Sequence, residues 1–412
     1  MKGKRAWIWK VGRVVLAVVL LAAIFKFYIR MSDVVHLAGG AEVTGTITGL
    51  TDSEIVLTQH GRTTTLPLSD LATRKGEPWI DRGLVSLLTM MMKSPREFAI
   101  AFMLLAVAPV IASWRWQMLL LAQDIRISFW RAAELTFIGL FFNNFMPGLT
   151  GGDLVKAYYA AKLTHERKTH AVVTVFLDRL IGMVALGIVA GAAILVGLFG
   201  AGGITGSEYR EASWFVGVFV AASVAGALAF YSKRLRALTL RLVRALPGFK
   251  RVSRTGFAQK AAGLIKRVDS ALFLYRYKKM VLAATTAVSF VAHASAIVSI
   301  YYIGQALGIK EADLLSYFVV VPVCFIISSV PLTPAGWGVG EVVFQVMFGA
   351  VGVGKTAAVT MSVLYRLTQA IWTLPGGAVL LFQRDRATVE EVEKEMSIDG
   401  EIPEEKGAGQ GD

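Results

Sequence analysis

Cysteine, histidine and charged residues are all scarce in this chain of 412 residues. The single cysteine, Cys324, excludes an internal disulfide framework. The five histidines show no paired spacing, and the GVGKT stretch at 352–356 lacks the spacing of a phosphate-binding loop. Only 17% of the residues are charged, which is well below the usual quarter. We therefore predict no metal site, no cofactor and no nucleotide-driven step.

Long apolar runs are abundant, and 55% of the residues are hydrophobic. The longest runs lie at 14–28, 98–122, 171–199, 214–231, 280–303 and 357–382. Most of them reach the roughly 20 residues that an α-helix needs to span a bilayer. A mean hydropathy of +0.57 agrees with this interpretation. The sequence predicts an all-α polytopic membrane protein rather than two or three soluble domains.

The net charge of +14 is concentrated in a basic segment at 233–279, where Asp269 is the one acidic residue. This segment lies between two apolar runs, so the positive-inside rule places it on the cytoplasmic side. Apolar residues recur along it at helical spacing, which favours a basic amphipathic helix on the anionic cytoplasmic leaflet. A short soluble helical hairpin is the structural alternative. Nucleic-acid binding is disfavoured, because the segment connects two spans.

The two ends of the chain differ from its apolar centre. Residues 1–30 combine a basic start with a short apolar run and lack an A-x-A cleavage site, which favours an uncleaved anchor over a signal peptide. The acidic tail at 389–412 is predicted to be disordered. Both termini are predicted to be cytoplasmic, the C-terminus because Arg384 and Arg386 follow the last span. We expect a multi-pass protein of the cell (cytoplasmic) membrane.

Residues 31–85 have the character of a small β domain. Short runs rich in Val, Ile and Thr alternate with Gly-Gly, Thr-Asp-Ser and His-Gly turns. This pattern predicts four or five strands in a small barrel of SH3-like size. The domain follows a span that begins in the cytoplasm, so we place it outside the cytoplasm. The transmembrane domain is then expected to occupy residues 86–388.

Two Pro/Gly motifs indicate an internal repeat. PGLTGGD at 147–153 resembles PAGWGVGE at 334–341, and each motif follows an apolar run. Downstream, LDRL around Arg179 has a counterpart in LYRL around Arg366. The first prolines of the two motifs are 187 positions apart, and so are the two arginines. Features that recur in one order at one offset favour a repeat over a chance match.

The apolar runs beside both motifs are too short for comfortable spans, so we predict two re-entrant helical hairpins. Counting spans from a cytoplasmic N-terminus brings the first hairpin in from the cytoplasm and the second in from outside. This arrangement is an inverted-topology repeat. Glycines allow the tight turns, prolines end the first half-helices, and asparagines bond the freed backbone groups. The predicted turn residues are Asn143, Asn144, Pro147, Gly148, Gly151, Gly152, Pro334, Gly336, Gly338 and Gly340.

Five charged residues lie in or beside apolar runs, namely Asp153, Asp178, Arg179, Glu341 and Arg366. A charge inside the bilayer costs about 2.5–3.5 kcal/mol even on the lenient insertion scale, so these residues need partners. Arg179 and Arg366 are predicted to grip a lipid phosphate through their planar donor forks. Asp153 and Glu341 are predicted to pair with these arginines when the site is empty. Buried ion pairs that only fix helix register are the alternative, as is a helix N-cap role for Asp153.

Four other side chains receive structural interpretations. Lys156 follows Asp153 by one turn and is predicted to lie at the membrane interface, where we also place Trp114 and Trp116. His293 lies within an apolar run that also contains serines. We predict that it is a satisfied structural histidine rather than a proton relay.

The stretches FFNNFMPGLTGGDLVKAYY, FLDRLIG, PLTPAGWGVGE and LYRL together resemble the transmembrane flippase region of lysylphosphatidylglycerol synthases and related stand-alone proteins. The resemblance covers about residues 86–385. It implies movement of lipid between leaflets. In bifunctional members a separate cytoplasmic domain attaches lysine to phosphatidylglycerol. Only 30 residues follow Phe382, so we expect no such domain and no lipid synthesis.

We expect a membrane lipid translocase that moves a phospholipid, anionic or aminoacylated, between leaflets. Its headgroup-binding groove would contain Asp153, Arg179, Glu341 and Arg366. The alternative is a scaffold for a separately encoded lipid or cell-envelope glycan enzyme, with residues 31–80 as the surface for the protein partner. Deleting these residues separates the two, since a translocase keeps flipping and a scaffold loses its partner. An integral-membrane transferase ranks lowest, because the sequence has no metal-ligand cluster.

Overall fold

The structure is a computed structural model that describes residues 29–382 with gaps at 52, 60–61, 75–76, 146–150, 165–166, 200–216, 219–274, 276, 330–332 and 334–335. The predicted anchor before residue 29 and the acidic tail lie outside the described residues. So do nearly all of the basic segment and of the apolar run at 214–231.

The N-terminal part of the described chain is a small antiparallel β-sheet. Its strands are β1 (Asp33–His36), β2 (Glu42–Leu50), β3 (Glu54–Gln59), β4 (Arg62–Pro67), β5 (Thr73–Arg74), β6 (Glu77–Pro78) and β7 (Ile80–Asp81). Five strands form one sheet in the order β4-β3-β2-β1-β7, and β5 pairs with β6. The strands and their turns lie where the sequence predicts them. These observations support a small antiparallel sheet of five strands, and its closure into a barrel of SH3-like size stays a prediction.

A buried carboxylate ties this sheet to the first helix, which begins at Leu84. Asp33 is fully buried and accepts hydrogen bonds from the backbone N–H of Ile47 at 2.8 Å and of Gly83 at 2.7 Å. It also accepts one from the Ser86 hydroxyl at 2.6 Å. A carboxylate with several donors is well compensated for its burial. The sheet is therefore joined to the helical part by side-chain contacts as well as by the chain.

Nine helices follow in the described residues. They are α1 (Leu84–Lys93), α2 (Pro95–Ala122), α3 (Phe129–Phe145), α4 (Gly151–Lys162), α5 (Lys168–Phe199), α6 (Lys279–Ala306), α7 (Leu314–Ser328), α8 (Val339–Ala350) and α9 (Lys355–Phe382). Among them, three segments are long and apolar enough to cross a membrane, namely Pro95–Ala122, Lys168–Val196 and Lys279–Ala306. The span predicted at 357–382 is present as α9 but is not one of these three.

The helices from α2 to α9 form two halves with one element order. In each half a 28-residue helix (α2 or α6) leads to two short helices and then to a long one. The second short helices, α4 and α8, both have 12 residues. Each half has its own core, one around Trp116 and Tyr159 and the other around Tyr317 and Phe348.

Helix packing relates the two halves as well. When α2–α5 are exchanged with α6–α9, each main helix pair maps onto another observed pair. Thus α3 packs on α9 as α7 packs on α5, and α4 on α5 as α8 on α9. The central pair, α2 with α6, maps onto itself. The described helices therefore form a repeat with two-fold pseudosymmetry, as the sequence motifs predict.

Connecting segments of the two halves gather at opposite ends of the molecule. At one end, Arg167 before α5 donates to the carbonyl of Gln123 after α2 at 2.7 Å. At the other end, the segment that leads into the β-sheet contacts the start of α9, because the backbone N–H of Arg30 donates to Thr356 at 3.2 Å. Gly308 after α6 packs on Met90 of α1 at this same end. Helix α2 starts beside α1 and extends about 42 Å at 1.5 Å per residue, which separates the ends.

Candidate functional site

The first predicted ion pair is present at the start of α4. Asp153 lies in the first turn of α4, and its carboxylate contacts Nε of Arg179 on α5. The Arg179 side chain is 49% exposed and that of Asp153 is 20% exposed. A half-exposed guanidinium can exchange its carboxylate partner for another anion at modest cost. Asp153 is thus a partner of Arg179 at a helix N-terminus, where a negative charge is favourable.

The second predicted ion pair has the same construction in the other half. Glu341 lies in the first turn of α8, and its Oε1 is 2.7 Å from Nε of Arg366 on α9. The other oxygen, Oε2, accepts from the backbone N–H of Gly338 at 2.6 Å, as in a capping box. The Glu341 side chain is fully buried and that of Arg366 is 12% exposed. The pair of the second half is therefore far more enclosed than that of the first.

Glycines at the two helix starts leave room for these contacts. A Cβ on Gly340 would overlap the Arg366 guanidinium, so glycine is what lets the arginine lie against the turn. Gly336 and Gly338 have φ of +70° and +86°, which favours glycine because it lacks a Cβ. The guanidinium carbon of Arg366 also lies 5.6 Å from the ring centre of Trp337.

The first hairpin has a matching close approach between α3 and α4. A Cβ on Gly152 would overlap the carbonyl oxygen of Gly139 and the Asn143 side chain. Asn143 accepts the backbone N–H of Gly152 at 3.0 Å, and Asn144 donates to the Leu140 carbonyl at 3.2 Å. Both asparagines therefore bond backbone groups, as predicted. Of the other predicted turn residues, Gly151 begins α4, while Pro147, Gly148 and Pro334 lie outside the described residues.

We expect Gly152→Ala to destabilise the protein by about 1–3 kcal/mol, the usual range for overpacking. The added methyl group meets backbone oxygen, which cannot move aside as a side chain can. Gly349→Ala is the matched control, because nothing lies within 4 Å of a Cβ there. This control is expected to stabilise α8 by about 0.5–1 kcal/mol. Unfolding free energies in detergent measure both, and equal effects of the two substitutions would contradict the close packing.

A third charged cluster, which the sequence motifs did not reveal, lies deeper than the first pair. Arg115 of α2 donates from Nε to Oδ1 of Asp178 at 2.6 Å, and Nζ of Lys156 is 3.5 Å from Oδ2. Nη1 of Arg115 also donates to the Ser289 hydroxyl at 2.8 Å. Lys156 stands 4.2 Å from the ring centre of Trp116. All the charged members are at least nine-tenths buried.

This cluster shows how the residues that the sequence predicts at the membrane interface are packed. Lys156 is 5% exposed and Trp116 is fully buried, so neither side chain faces the lipid headgroups. Both residues face the α2–α4–α5 core instead, where the indole N–H of Trp116 donates to Thr174 at 2.8 Å. Trp114 is 48% exposed, which is compatible with an interfacial position.

The two halves differ at this cluster. The residues that match Lys156 and Asp178 at the repeat offsets of 188 and 187 are Phe344 and Tyr365. Their rings stack with centres 6.4 Å apart and an interplanar angle of 17°. The second half thus has an aromatic contact where the first has an ion pair. Asp178 has no charged counterpart in the second half. It forms ion pairs with two cations, and the one with Arg115 of α2 is shorter than the one with Lys156.

Metal ligation has no basis in the part of the chain that the structure describes. No group of three His, Cys, Asp or Glu residues there is arranged to hold a metal ion. His293 makes the satisfied contact predicted for it, because its Nε2 donates to the Gly182 carbonyl at 2.8 Å. The charged groups of the candidate site pair with one another.

Long apolar helices, two matched halves and charged pairs at their broken helices define a polytopic helical membrane protein. The chain belongs to the lysylphosphatidylglycerol synthase TM region family, whose profile matches residues 83–376. The match covers the helical part and leaves the β-sheet outside. It concerns the membrane region of these synthases, and no synthetase domain is detected.

The chain is similar to archaeal proteins that are named only as UPF0104 membrane proteins. One from Pyrococcus horikoshii is 27% identical over 309 residues, which are 73% of this chain and 92% of that protein. One from Methanothermobacter thermautotrophicus is 23% identical over 293 residues, covering 68% of this chain and 80% of the relative. No solved structure matches the chain. The comparisons support a membrane protein of this family and assign no activity.

Proposed function

We propose that the protein is a lipid translocase that moves a phospholipid with an anionic or aminoacylated headgroup between leaflets. The observation that carries this proposal is the matched pair of acid–arginine contacts, Asp153 with Arg179 and Glu341 with Arg366. Each pair lies where a short helix begins, and such a helix start offers free N–H groups and a positive dipole end to an anion. One site in each half suits a headgroup that is passed from one leaflet to the other.

The chemistry of a lipid phosphate matches the groups at both sites. A guanidinium forms two parallel charge-assisted hydrogen bonds with a phosphate as readily as with a carboxylate. An incoming phosphodiester therefore replaces Asp153 at Arg179, and the released carboxylate is free to meet an ammonium group of an aminoacylated headgroup. Acyl chains stay in the bilayer while the headgroup occupies the polar groove.

Opposite orientation of the two hairpins gives the alternating access that translocation requires. In this proposal, α3 with α4 dips in from the cytoplasm and α7 with α8 from the other side. The segments next to α2, α4 and α5 gather at one end of the molecule, and those next to α6, α9 and the β-sheet gather at the other. This arrangement supports an external β-sheet and cytoplasmic termini.

Proteoliposomes test the function directly. The purified full-length protein is reconstituted with trace lipids labelled on the acyl chain, each with a different headgroup: phosphatidylglycerol, lysylphosphatidylglycerol or a neutral glycolipid. We expect the protein to accelerate leaflet exchange of at least one phosphate-bearing lipid and not of the glycolipid. Exchange rates equal to those of protein-free vesicles for every lipid would exclude the translocase.

The scaffold alternative rests on the β-sheet, whose strand β4 is an exposed edge and hence a surface for strand addition. Deleting residues 31–80 is not a clean test, because it also removes Asp33 and its bonds to Gly83 and Ser86. A sharper test leaves Asp33 in place and introduces charges on β4. A scaffold then loses its protein partner, whereas a translocase keeps its exchange rate.

A further inference from the structure

A cavity of about 270 Å³ lies where α2 and α6 cross. Small residues one turn apart open it on both helices: Ala108 and Ala112 on α2, and Ala292 and Ala296 on α6. The second pair follows the first by 184 positions, which is also the distance between the starts of α2 and α6, so these alanines are equivalent in the two halves. The cavity therefore lies on the pseudo-two-fold axis, between the two ion pairs.

One guanidinium in the wall of this cavity has an unused donor nitrogen. Arg115 is 8% exposed, and its Nε and Nη1 bond Asp178 and Ser289. Among the described residues, its Nη2 has no hydrogen-bond partner. His293 and Gln369 add further polar atoms to a lining that is otherwise mostly apolar. A guanidinium nitrogen without a protein partner in the wall of a cavity can donate to a ligand there.

The charge around the cavity is unbalanced. Arg115 and Lys156 are two cations that share the one carboxylate of Asp178. The next carboxylates, Asp153 and Glu341, are each already paired with an arginine of their own, Arg179 and Arg366. A net positive charge in a buried place is stabilised by an anion and penalised without one.

We propose that this cavity binds a phosphate-class oxyanion, with Nη2 of Arg115 as the donor that holds it. The volume suits a headgroup rather than a whole lipid, because pockets for drug-sized ligands begin at about 300 Å³. Arg115 bonds the residue before Arg179, and the cavity is also lined by Tyr365, the residue before Arg366. The phosphate of a translocating lipid would therefore bind between the two outer arginines, Arg179 and Arg366. That the oxyanion comes from a lipid rests on the proposed function.

Binding to the full-length protein in dodecyl maltoside, a detergent without phosphate, tests the site. Native mass spectrometry compares phosphatidylglycerol with a diacylglycerol of the same chains, and calorimetry measures inorganic phosphate. The variants are Arg115→Gln, which removes the donor, and Ala112→Leu, which fills the cavity and leaves every charge in place. Val110→Leu is the matched control, because Val110 faces away from the core and is 47% exposed.

We expect phosphatidylglycerol or inorganic phosphate to bind, and both variants to weaken that binding about tenfold or more, as loss of a charge-assisted hydrogen bond predicts. Diacylglycerol is expected not to bind, and Val110→Leu to behave as wild type. Binding of phosphatidylglycerol identifies a lipid source. Binding of inorganic phosphate alone identifies a free anion and still supports the oxyanion site.

Three results would overturn the inference: no binding of either probe, binding that both variants leave unchanged, or equal binding of diacylglycerol. Failure here is distinct from failure of the translocase. Normal lipid exchange by Ala112→Leu and Arg115→Gln, with unchanged phosphate binding, removes the cavity site and keeps the function. Phosphate binding that depends on Arg115, in a protein that exchanges no lipid, keeps the cavity site and removes the translocase function.

Discussion

We expect Arg179→Ala to slow lipid exchange strongly in proteoliposomes and to leave the stability of the protein nearly unchanged. The arginine provides the exposed half of the first site, and its loss removes charge-assisted bonds to a phosphate that are worth about 1.5–3 kcal/mol. That range corresponds to a decrease in rate of roughly tenfold to a hundredfold. In the polar groove of the proposed function this 49% exposed side chain contacts water, so its bond with Asp153 contributes only about 0–1 kcal/mol to folding.

Arg131→Ala is the control for this result. Arg131 forms an exposed pair with Glu134 on α3, at 2.6 Å, and its side chain is 43% exposed. Its removal takes away a similar ion pair outside the site, so exchange should continue at the wild-type rate. Unchanged exchange by a folded Arg179→Ala variant would show that Arg179 has only a structural role.

Arg366→Ala has the largest expected effect on stability. It leaves the fully buried carboxylate of Glu341 without its cation, and breaking a buried pair on one side typically costs about 3–5 kcal/mol. The double variant Glu341→Gln/Arg366→Met removes both charges of the pair. The side-chain amide that replaces the carboxylate of Glu341 can still accept the N–H of Gly338. We expect the double variant to recover most of the lost free energy of unfolding.

Denaturant titration in detergent measures this difference. Equal stability of wild type and Arg366→Ala would show that Glu341 is compensated by its bonds to Gly338 and Ser362 alone. The folded double variant then serves a second purpose. It lacks the charges of the second site, so lipid exchange should be lost in it although the protein is stable.

Helices and strands were accessible to sequence analysis because their signals are local. Apolar runs predicted α2, α5 and α6 to within three residues at each end, and turn residues predicted the borders of β1 to β4. Closure of the sheet into a barrel stays a prediction, because it depends on whether edge strands meet. A run of alternating residues does not contain that information.

The outer ion pairs were predictable for a different reason. Their residues repeat at nearly the same offset, 188 positions for the acids and 187 for the arginines, so each half served as a check on the other. Arg115 has no such counterpart, because the equivalent position on α6 is Ser299. Its neighbours Trp114 and Trp116 suggested a membrane interface. The one available signal was Asp178. Its match in the other half is Tyr365, which carries no charge. Asp178 is therefore an additional carboxylate next to Arg179, and it needed a cation that the repeat does not supply.

Cysteine labelling from the two sides of the membrane tests the opposed hairpins most directly. In a Cys324→Ala background, single cysteines replace Arg126 and Lys162 beside the first hairpin, and Lys310 and Lys355 beside the second. All four positions are exposed. We expect the first two to react from the cytoplasmic side and the last two from the other side. Labelling of all four from one side would contradict the inverted repeat, and with it alternating access through matched half-sites.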